Sequence, residues 1–149
     1  MLVIRELDSA QIALVDRHLP LNRLDQTGDE SSYLVAWEGD RPVAHARIAW
    51  SGTHLALPEI QDVFVAPDSR RKGIATALAE AAEAEAKARG WEAISLSVSQ
   101  DKNPAAHSLY TRLGYNAANA APVRVAGLIT LRGRSIEFDD TLIYMTKAL

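Results

Sequence analysis

The sequence contains no cysteine, which excludes disulfide bonds, a thiolate nucleophile and any zinc site built on cysteine. Histidine is scarce as well. The four histidines are widely spaced, with no pair four residues apart on one helix face, and this argues against a structural metal. The sequence therefore implies no metal.

Long hydrophobic runs are also absent. The amino-terminal run M-L-V-I-R-E-L-D is too short for a signal peptide, and no stretch approaches membrane-spanning length, so we expect a cytoplasmic protein with no membrane partner. The net charge is -3 and the basic residues cluster in one turn, which argues against a nucleic-acid partner. A local basic patch on an acidic protein fits a small anionic ligand better.

The 149 residues, 48% hydrophobic and 23% charged, fit one domain over residues 1–149. Helical patterns cover 8–19, 74–90 and 103–114, and strand patterns cover 1–7, 33–37, 42–50, 59–66, 91–99, 115–125, 128–131 and 142–149. Residues 21–32 indicate a loop or a short, weak helix, and residues 133–140 an exposed turn. The strand-helix-strand-helix order of the second half predicts parallel strands at the centre of the sheet.

In residues 63–78 an apolar strand runs into a basic turn, Arg70-Arg71-Lys72-Gly73, and then directly into a helix. The first N–H groups of a helix have no partner within it and attract anions, and arginine adds a full charge with two donors. Gly73 lets an anion approach the backbone closely. The stretch indicates a phosphate site, although a solvated basic turn is the commoner meaning of these residues alone.

A second motif, N-x-x-A-x-x-L-Y-x-x-L-G-Y from Asn103 to Tyr115, follows the first one, V-x-P-x-x-R-x-x-G-x-A from Val65 to Ala75. Together they resemble the GNAT superfamily of acyl-CoA-dependent N-acetyltransferases. The resemblance covers residues 59–115 well, and the flanks agree in element order only.

This resemblance implies an α/β fold with a mixed, mostly antiparallel sheet of six or seven strands, a splayed parallel central pair and about four helices. It implies acetyl-CoA as co-substrate, with its pyrophosphate on the N–H groups of residues 71–76 and its pantetheine arm along the central strand. The implied coenzyme A contacts are Phe64, Val65, Arg70, Arg71, Lys72, Gly73, Ile74, Ala75, Thr76, Asn103, Ala106 and Tyr110.

The implied reaction is direct attack of an amine on the thioester in a ternary complex, which needs no covalent enzyme intermediate. A backbone N–H of the central strand, that of Val65 by its position, would donate to the carbonyl oxygen. The resemblance makes Tyr110 the proton donor to the departing thiolate. The helical periodicity of Ala106, Leu109 and Tyr110 instead indicates a core tyrosine.

The general base is open among three side chains, with Glu59 first, Asp62 second and His54 third. On a regular strand Glu59 and Asp62 point to opposite faces, but a bulge would change that parity. Each has a plain alternative as a solvated strand-end carboxylate or a loop histidine.

Other functions compete with this one. The chain could be a catalytically silent acyl-CoA-binding module, or it could use a longer acyl-CoA if the slot is wide near Val63 and Ser97. Relatives that acetylate ribosomal protein N-termini carry a glutamate where this chain has Leu96-Ser97-Val98, which argues against that acceptor. The acidic loop of Asp25, Asp29 and Glu30 could face a cationic acceptor, although a solvated loop is the commoner meaning of such residues. The oligomeric state is open, and the edges of the last strands are of the kind that pairs in homodimers.

Overall fold

The described residues fold around one sheet of eight strands. The computed structural model describes residues 1–21, 30–131 and 134–149, the side chains at 129–131 excepted. The strands are β1 (Leu2–Glu6), β2 (Ser31–Glu38), β3 (Arg41–Ala49), β4 (Glu59–Val65), β5 (Ala93–Ser99), β6 (Asn116–Ala117), β7 (Val123–Leu131) and β8 (Arg134–Ala148). The helices are α1 (Ile12–His18), α2 (Ile74–Ala88) and α3 (Pro104–Arg112), with short 3-10 helices at Ser9–Gln11 and Pro67–Ser69.

The strand order is β1-β2-β3-β4-β5-β8-β6, and β7 pairs with β8 at the side of this path. β4 and β5 pair in parallel, whereas the other recorded pairs are antiparallel. The predicted mixed sheet with a parallel central pair is therefore confirmed. The predicted loop or weak helix at 21–32 lies mostly outside the described residues, because 22–29 are not among them.

The exposed turn predicted at residues 133–140 is wrong for residues 134–140, and residue 133 lies outside the described residues. Residues 134–140 begin β8, which pairs with β7 from Arg134 opposite Leu131 to Leu142 opposite Val123. The alternation of apolar Ile136 and Phe138 with charged neighbours is a strand pattern, and the Arg124 and Asp139 side chains form an ion pair across the two strands at 2.9 Å. The many charged residues of this segment favoured the interpretation as an exposed turn over that as a strand.

Local signals set the helix ends as predicted. The Asn103 side chain accepts a hydrogen bond from the Ala106 N–H at 3.1 Å and so caps α3. Gly73 precedes α2 with φ 76°, and Gly90 follows it with φ 89°. Asp8 caps only the 3-10 turn before α1, by accepting from the Ala10 N–H at 2.9 Å.

The sheet buries apolar side chains on both faces. α2 packs its small inner side chains, with Ala82 and Ala86 fully buried, against the cluster that also holds Ile60 and Leu96. The opposite face packs Val15 and Leu19, from α1 and the residue after it, against Tyr33, Val35 and Trp37 of β2. Among the described residues, no helix is long and apolar enough to cross a membrane.

Two irregularities in β4 shape the centre of the sheet. β4 pairs with β5 only through Glu59 opposite Ser95 and Ile60 opposite Leu96, so the two strands separate beyond these pairs. On the side facing β3, β4 contains a bulge. Gln61 pairs with Arg47 and Phe64 pairs with His45, so three residue steps along β4 correspond to two along β3. Asp62 lies in the bulge with φ 50°. The bulge considered in the sequence is therefore present.

Candidate active site

The separation of β4 and β5 opens a cavity of about 660 Å³. Its walls come from the bulged part of β4, from Ser97–Ser99 of β5 and from α3, and one end reaches Arg70, Arg71 and Ala75 beside the start of α2. The strands leave each other after two residue pairs, so the cavity lies where β5 would otherwise have continued beside β4.

A second cavity of about 350 Å³ lies at the amino end of α2 and shares Arg70, Arg71 and Ala75 with the first. Arg112 from α3 lines both cavities and adds a third cation to these two arginines. A Cβ at Gly73 would meet nothing within 4 Å, so the space above this glycine is open. Basic side chains and the free N–H groups of a helix start around an open space are the groups that bind anions in proteins.

The loop that carries these arginines is tied to β4 and strained. The Arg70 Nε donates to the Val65 carbonyl at 3.1 Å, which fixes the loop against the end of the strand. Arg71 has φ 64°, a left-handed conformation that is uncommon outside glycine. Strain of this kind concentrates at ligand-binding loops.

Tyr110 projects from α3 into the larger cavity and is only 8% exposed. Its ring meets that of Tyr115 edge to face at 5.7 Å, and its hydroxyl makes no hydrogen bond to a described residue. Burial raises the pKa of Tyr110 above its ordinary value. The hydroxyl therefore keeps its proton at neutral pH and can donate it.

Glu59 lines the same cavity and is 7% exposed. Its Oε2 accepts from the Gln61 Nε2 at 2.6 Å, and the Gln61 Oε1 accepts from the Arg47 guanidinium. The Glu59 Oε1 has no hydrogen-bond partner among the described residues. A buried carboxylate oxygen without a partner is costly unless a ligand or water meets it.

Asp62 also lines the cavity, and the Tyr33 hydroxyl donates to its Oδ2. Tyr33 belongs to the cluster on the α1 face of the sheet. The bulge therefore turns Asp62 toward that face, in spite of the strand parity that would place it on the face of Ile60. The bulge therefore lets Asp62 line the same cavity as Glu59 and Gln61.

Comparison with known proteins decides the family. Residues 3–115 match the model of the Acetyltransferase (GNAT) family. The chain belongs to this family. No curated protein matches the sequence of this GNAT chain.

Solved structures share the fold. An acetyltransferase from Bacillus subtilis in complex with CoA has 17% identity and a TM-score of 0.75, with 100% of this chain and 99% of that chain covered. A GNAT acetyltransferase from Elizabethkingia anophelis with acetyl-CoA bound has 18% identity and a TM-score of 0.72, with 99% and 98% covered. The ribosomal-protein-S18-alanine N-acetyltransferase from Escherichia coli has 22% identity and a TM-score of 0.72, with 99% and 94% covered.

In this GNAT chain most predicted site residues line one or both cavities: Glu59, Asp62, Val65, Arg70, Arg71, Gly73, Ile74, Ala75, Thr76, Asn103, Ala106 and Tyr110. Two do not. The Phe64 ring packs with the α1-side cluster and stacks on His45 at 5.9 Å. Lys72 lines a separate small cavity with Leu2, Glu38 and Ile74.

His54, the third candidate base, is exposed in the loop before β4 and stacks on Tyr144 of β8 at 4.3 Å. Tyr144 pairs with Ser97 of β5, two residues beyond the Ser95 that pairs with Glu59. Burial and the charge of Glu59 raise the pKa of Tyr144. Asp25 and Asp29 of the acidic loop are outside the described residues, while Glu30 accepts a hydrogen bond from the Ser51 hydroxyl. In the described part of the chain, no three His, Asp or Glu side chains form a cluster able to hold a metal.

Four residues near the site escaped the sequence reasoning: Arg47, Ser69, Arg112 and Tyr144. Arg112 had a usable signal, because it lies three residues after Leu109 and seven after Ala105, a spacing that places them on the same side of α3. Arg47 and Tyr144 had none, since strand pairing alone brings them near Glu59.

Proposed function

We propose that this protein is an N-acetyltransferase that moves an acetyl group from acetyl-CoA to a primary amine of a small molecule or peptide. The amine attacks directly within a ternary complex. The observation that carries the proposal is the cavity between β4 and β5, which joins a basic helix terminus at one end to Tyr110 and Glu59 inside. Two structures of the same fold hold CoA or acetyl-CoA.

Binding of acetyl-CoA draws on two features of this chain. The free N–H groups at the start of α2, with Arg70, Arg71 and Arg112, hold the pyrophosphate. Beyond Ile60, β4 pairs with no described strand on its β5 side, so its backbone groups are available to the amide groups of the pantetheine arm. The thioester then lies beside Tyr110.

The reaction follows from these positions. Glu59 takes a proton from the arriving ammonium, directly or through water, with Asp62 as second candidate. The neutral nitrogen forms a bond to the thioester carbon, the negative charge moves to the carbonyl oxygen, and the carbon–sulfur bond then breaks. Tyr110 gives its proton to the departing thiolate, and the nitrogen releases its second proton through water, which restores the proton on Tyr110. Glu59 returns the first proton to the solvent. The products are an amide and coenzyme A.

Calorimetric titration with acetyl-CoA tests the cofactor part, with Gly73→Glu and Gly90→Glu as a matched pair of variants. Both glycines have positive φ, and a Cβ at either position meets nothing within 4 Å. The two changes therefore cause similar strain and add the same charge at opposite ends of α2. We expect Gly73→Glu to weaken binding at least tenfold, because it places a carboxylate in the phosphate site, and Gly90→Glu to leave binding unchanged.

An intact protein that does not bind acetyl-CoA would refute the cofactor, and equal loss in both variants would refute its place at α2. If binding holds, thiol release with a panel of primary amines tests the transfer. The panel is run with acyl-CoAs of increasing chain length, since the small side chains of Val63 and Ser97 line the cavity. Binding without release for any amine would favour a silent acyl-CoA-binding module.

A further inference from the structure

Gln61 on β4 joins two buried charged side chains through its amide. The Arg47 guanidinium donates to the Gln61 Oε1, and the Gln61 Nε2 donates to the Glu59 Oε2 at 2.6 Å. Arg47 is 8% exposed and Glu59 is 7% exposed. Most glutamines lie at the surface with solvated amides. A glutamine that bridges a buried cation and a buried carboxylate therefore needs a reason.

The sheet places these three side chains together. Arg47 of β3 lies directly opposite Gln61, and Glu59 precedes Gln61 by two residues, so all three point to one face. The bulge of β4 begins after Gln61, which leaves this part of the strand regular. Ala49, the residue opposite Glu59, has no polar side chain that could replace the Gln61 amide. The position of that amide thus comes from strand pairing.

The two hydrogen bonds through Gln61 run in one direction. A guanidinium has donors and no acceptor, so the amide oxygen of Gln61 must face Arg47. The amide nitrogen then faces Oε2 of Glu59 and donates to it. A proton on Oε2 would weaken this bond, because a carboxylate oxygen is the stronger acceptor. Oε1 is therefore the oxygen at which Glu59 can take a proton and keep the bond intact.

The Glu59 Oε1 is buried and has no hydrogen-bond partner among the described residues. Glu59 and Gln61 both line the cavity between β4 and β5. Asp62, the other carboxylate of β4 in this cavity, is engaged separately, because the Tyr33 hydroxyl donates to it. A buried carboxylate oxygen without a partner requires a ligand or water to meet it. Gln61 thus occupies one oxygen of Glu59 and leaves the other for a ligand.

We propose that Gln61 is a positioning residue, held by Arg47 against the Glu59 Oε2, so that Oε1 takes the proton from the acceptor ammonium. A general base acts only when its accepting atom lies within hydrogen-bond reach of the proton. A carboxylate that is free to turn spends less time in such an orientation. The role of Gln61 in the reaction rests on the proposed function, while the order of its hydrogen bonds does not.

Two acceptor amines separate a role in proton removal from a structural role. The first is the fastest amine of the panel, and the second is its analogue fluorinated on the carbon next to the one that bears the nitrogen. An ordinary primary amine is protonated at about pH 8 and must lose a proton before it attacks. Fluorine lowers the basicity of the nitrogen, so the analogue is largely neutral at this pH and needs no base.

Gln61→Met keeps the length of the side chain and removes the amide. We expect its kcat to fall about tenfold or more with the parent amine, and to stay within about threefold of the intact protein with the fluorinated one. Acetyl-CoA binding should stay within about twofold. Glu59→Gln, measured beside it, should show the same contrast with a larger loss.

A merely structural role of Gln61 would lower kcat equally with both amines. That result would overturn the positioning role, and so would an unchanged kcat with the parent amine. If Gln61→Met does not fold, Gln61→Asn takes its place in the same comparison, because asparagine keeps an amide that is one carbon too short to reach both Arg47 and Glu59.

Urea unfolding of Gln61→Glu, Glu59→Gln and the double variant tests the order of the hydrogen bonds without an assay of activity. Glutamate at position 61 still accepts from Arg47 but directs an oxygen, not an N–H, at the Glu59 Oε2. Glutamine at position 59 then supplies the missing donor. We expect Glu59→Gln to raise the urea midpoint more in the Gln61→Glu background than in the intact protein.

Equal shifts of the midpoint in the two backgrounds would overturn the bridge through Gln61. Failure of the intact protein to bind acetyl-CoA would refute the proposed function instead. An equal loss of kcat with both amines in Glu59→Gln would refute Glu59 as the base. In both cases the unfolding experiment still decides how Gln61 is bonded to Arg47 and Glu59.

Discussion

Tyr110 and Tyr115 differ in whether their hydroxyl has a partner, and this difference separates a catalytic role from a structural one. The Tyr115 hydroxyl donates to the Glu83 Oε2 at 2.9 Å, and Lys147 Nζ contacts the Glu83 Oε1 at 2.9 Å. The Tyr110 hydroxyl has no partner among the described residues. Replacing each tyrosine with phenylalanine removes one oxygen and keeps the edge-to-face ring contact.

We expect Tyr110→Phe to leave the free energy of unfolding unchanged or to raise it by up to about 1 kcal/mol, because a partly buried hydroxyl without a partner is removed. Its kcat should fall by about 10²- to 10⁴-fold, the range for loss of a general acid. Tyr115→Phe should lose about 2 kcal/mol, since a hydrogen bond to a carboxylate is removed, and should keep kcat within about threefold.

Urea unfolding and thiol release from CoA, measured on both variants, give the answer. A Tyr110→Phe variant that loses more than about 1 kcal/mol of stability would show that the hydroxyl has a structural partner. A variant with an unchanged kcat would refute the proton-donor role and favour the core tyrosine that the helical periodicity indicates. A large loss of kcat in Tyr115→Phe would mean that separate catalytic and structural roles cannot be assigned to Tyr110 and Tyr115, whose rings are in contact.

Two further predictions concern charge and pH. Glu59→Gln keeps the contact with Gln61 but removes the carboxylate, so its kcat should fall by about 10²-fold or more with the best amine of the panel. The kcat of Asp62→Asn should fall less, and the reverse order of the two losses would make Asp62 the base. Burial raises the pKa of Tyr110, Tyr115 and Tyr144. Below about pH 10 these three tyrosines keep their protons in both the folded and the unfolded protein. Above this pH the unfolded chain loses the protons first, which stabilises the unfolded state. The free energy of unfolding should therefore fall by up to about 1.4 kcal/mol per pH unit for each tyrosine. Urea unfolding between pH 8 and 11 should show a shallower fall in Tyr115→Phe, and an equal slope would mean that the raised pKa of Tyr115 is not a cause of the fall.

The helix ends and the basic turn before α2 were predictable because their signals are local. Asn103 before Pro104 and Gly114 after the last turn define α3 through backbone conformations and one side-chain hydrogen bond. Gly73 marks the start of α2 in the same way. Such features depend on a few consecutive residues, and the sequence contains all of them.

The arrangement around Glu59 was not predictable in the same way, because it depends on pairing between distant strands. No residue of β4 marks the bulge: Asp62 has φ 50° although it is not a glycine, and the register of β3 creates the extra residue. Strand parity alone separates Glu59 from Asp62, so the sequence could name both as bases but could not place them together. Arg47 and Tyr144 reach the site through pairing as well.

The costly features of the described structure concentrate around the two cavities. Of the three described non-glycine residues with positive φ, Asp62 and Arg71 line them. Glu59, whose Oε1 has no partner among the described residues, lines the larger cavity, and Ser69, whose buried hydroxyl also lacks such a partner, lines the smaller one. Strain and unmet hydrogen bonds persist in a fold only where the surrounding packing holds them. Here α2 and the sheet supply that packing through fully buried Ala82, Ala86 and Ile94. A structural role alone would give no reason for these costs to share one location, whereas a ligand that meets the unpaired groups would offset them together.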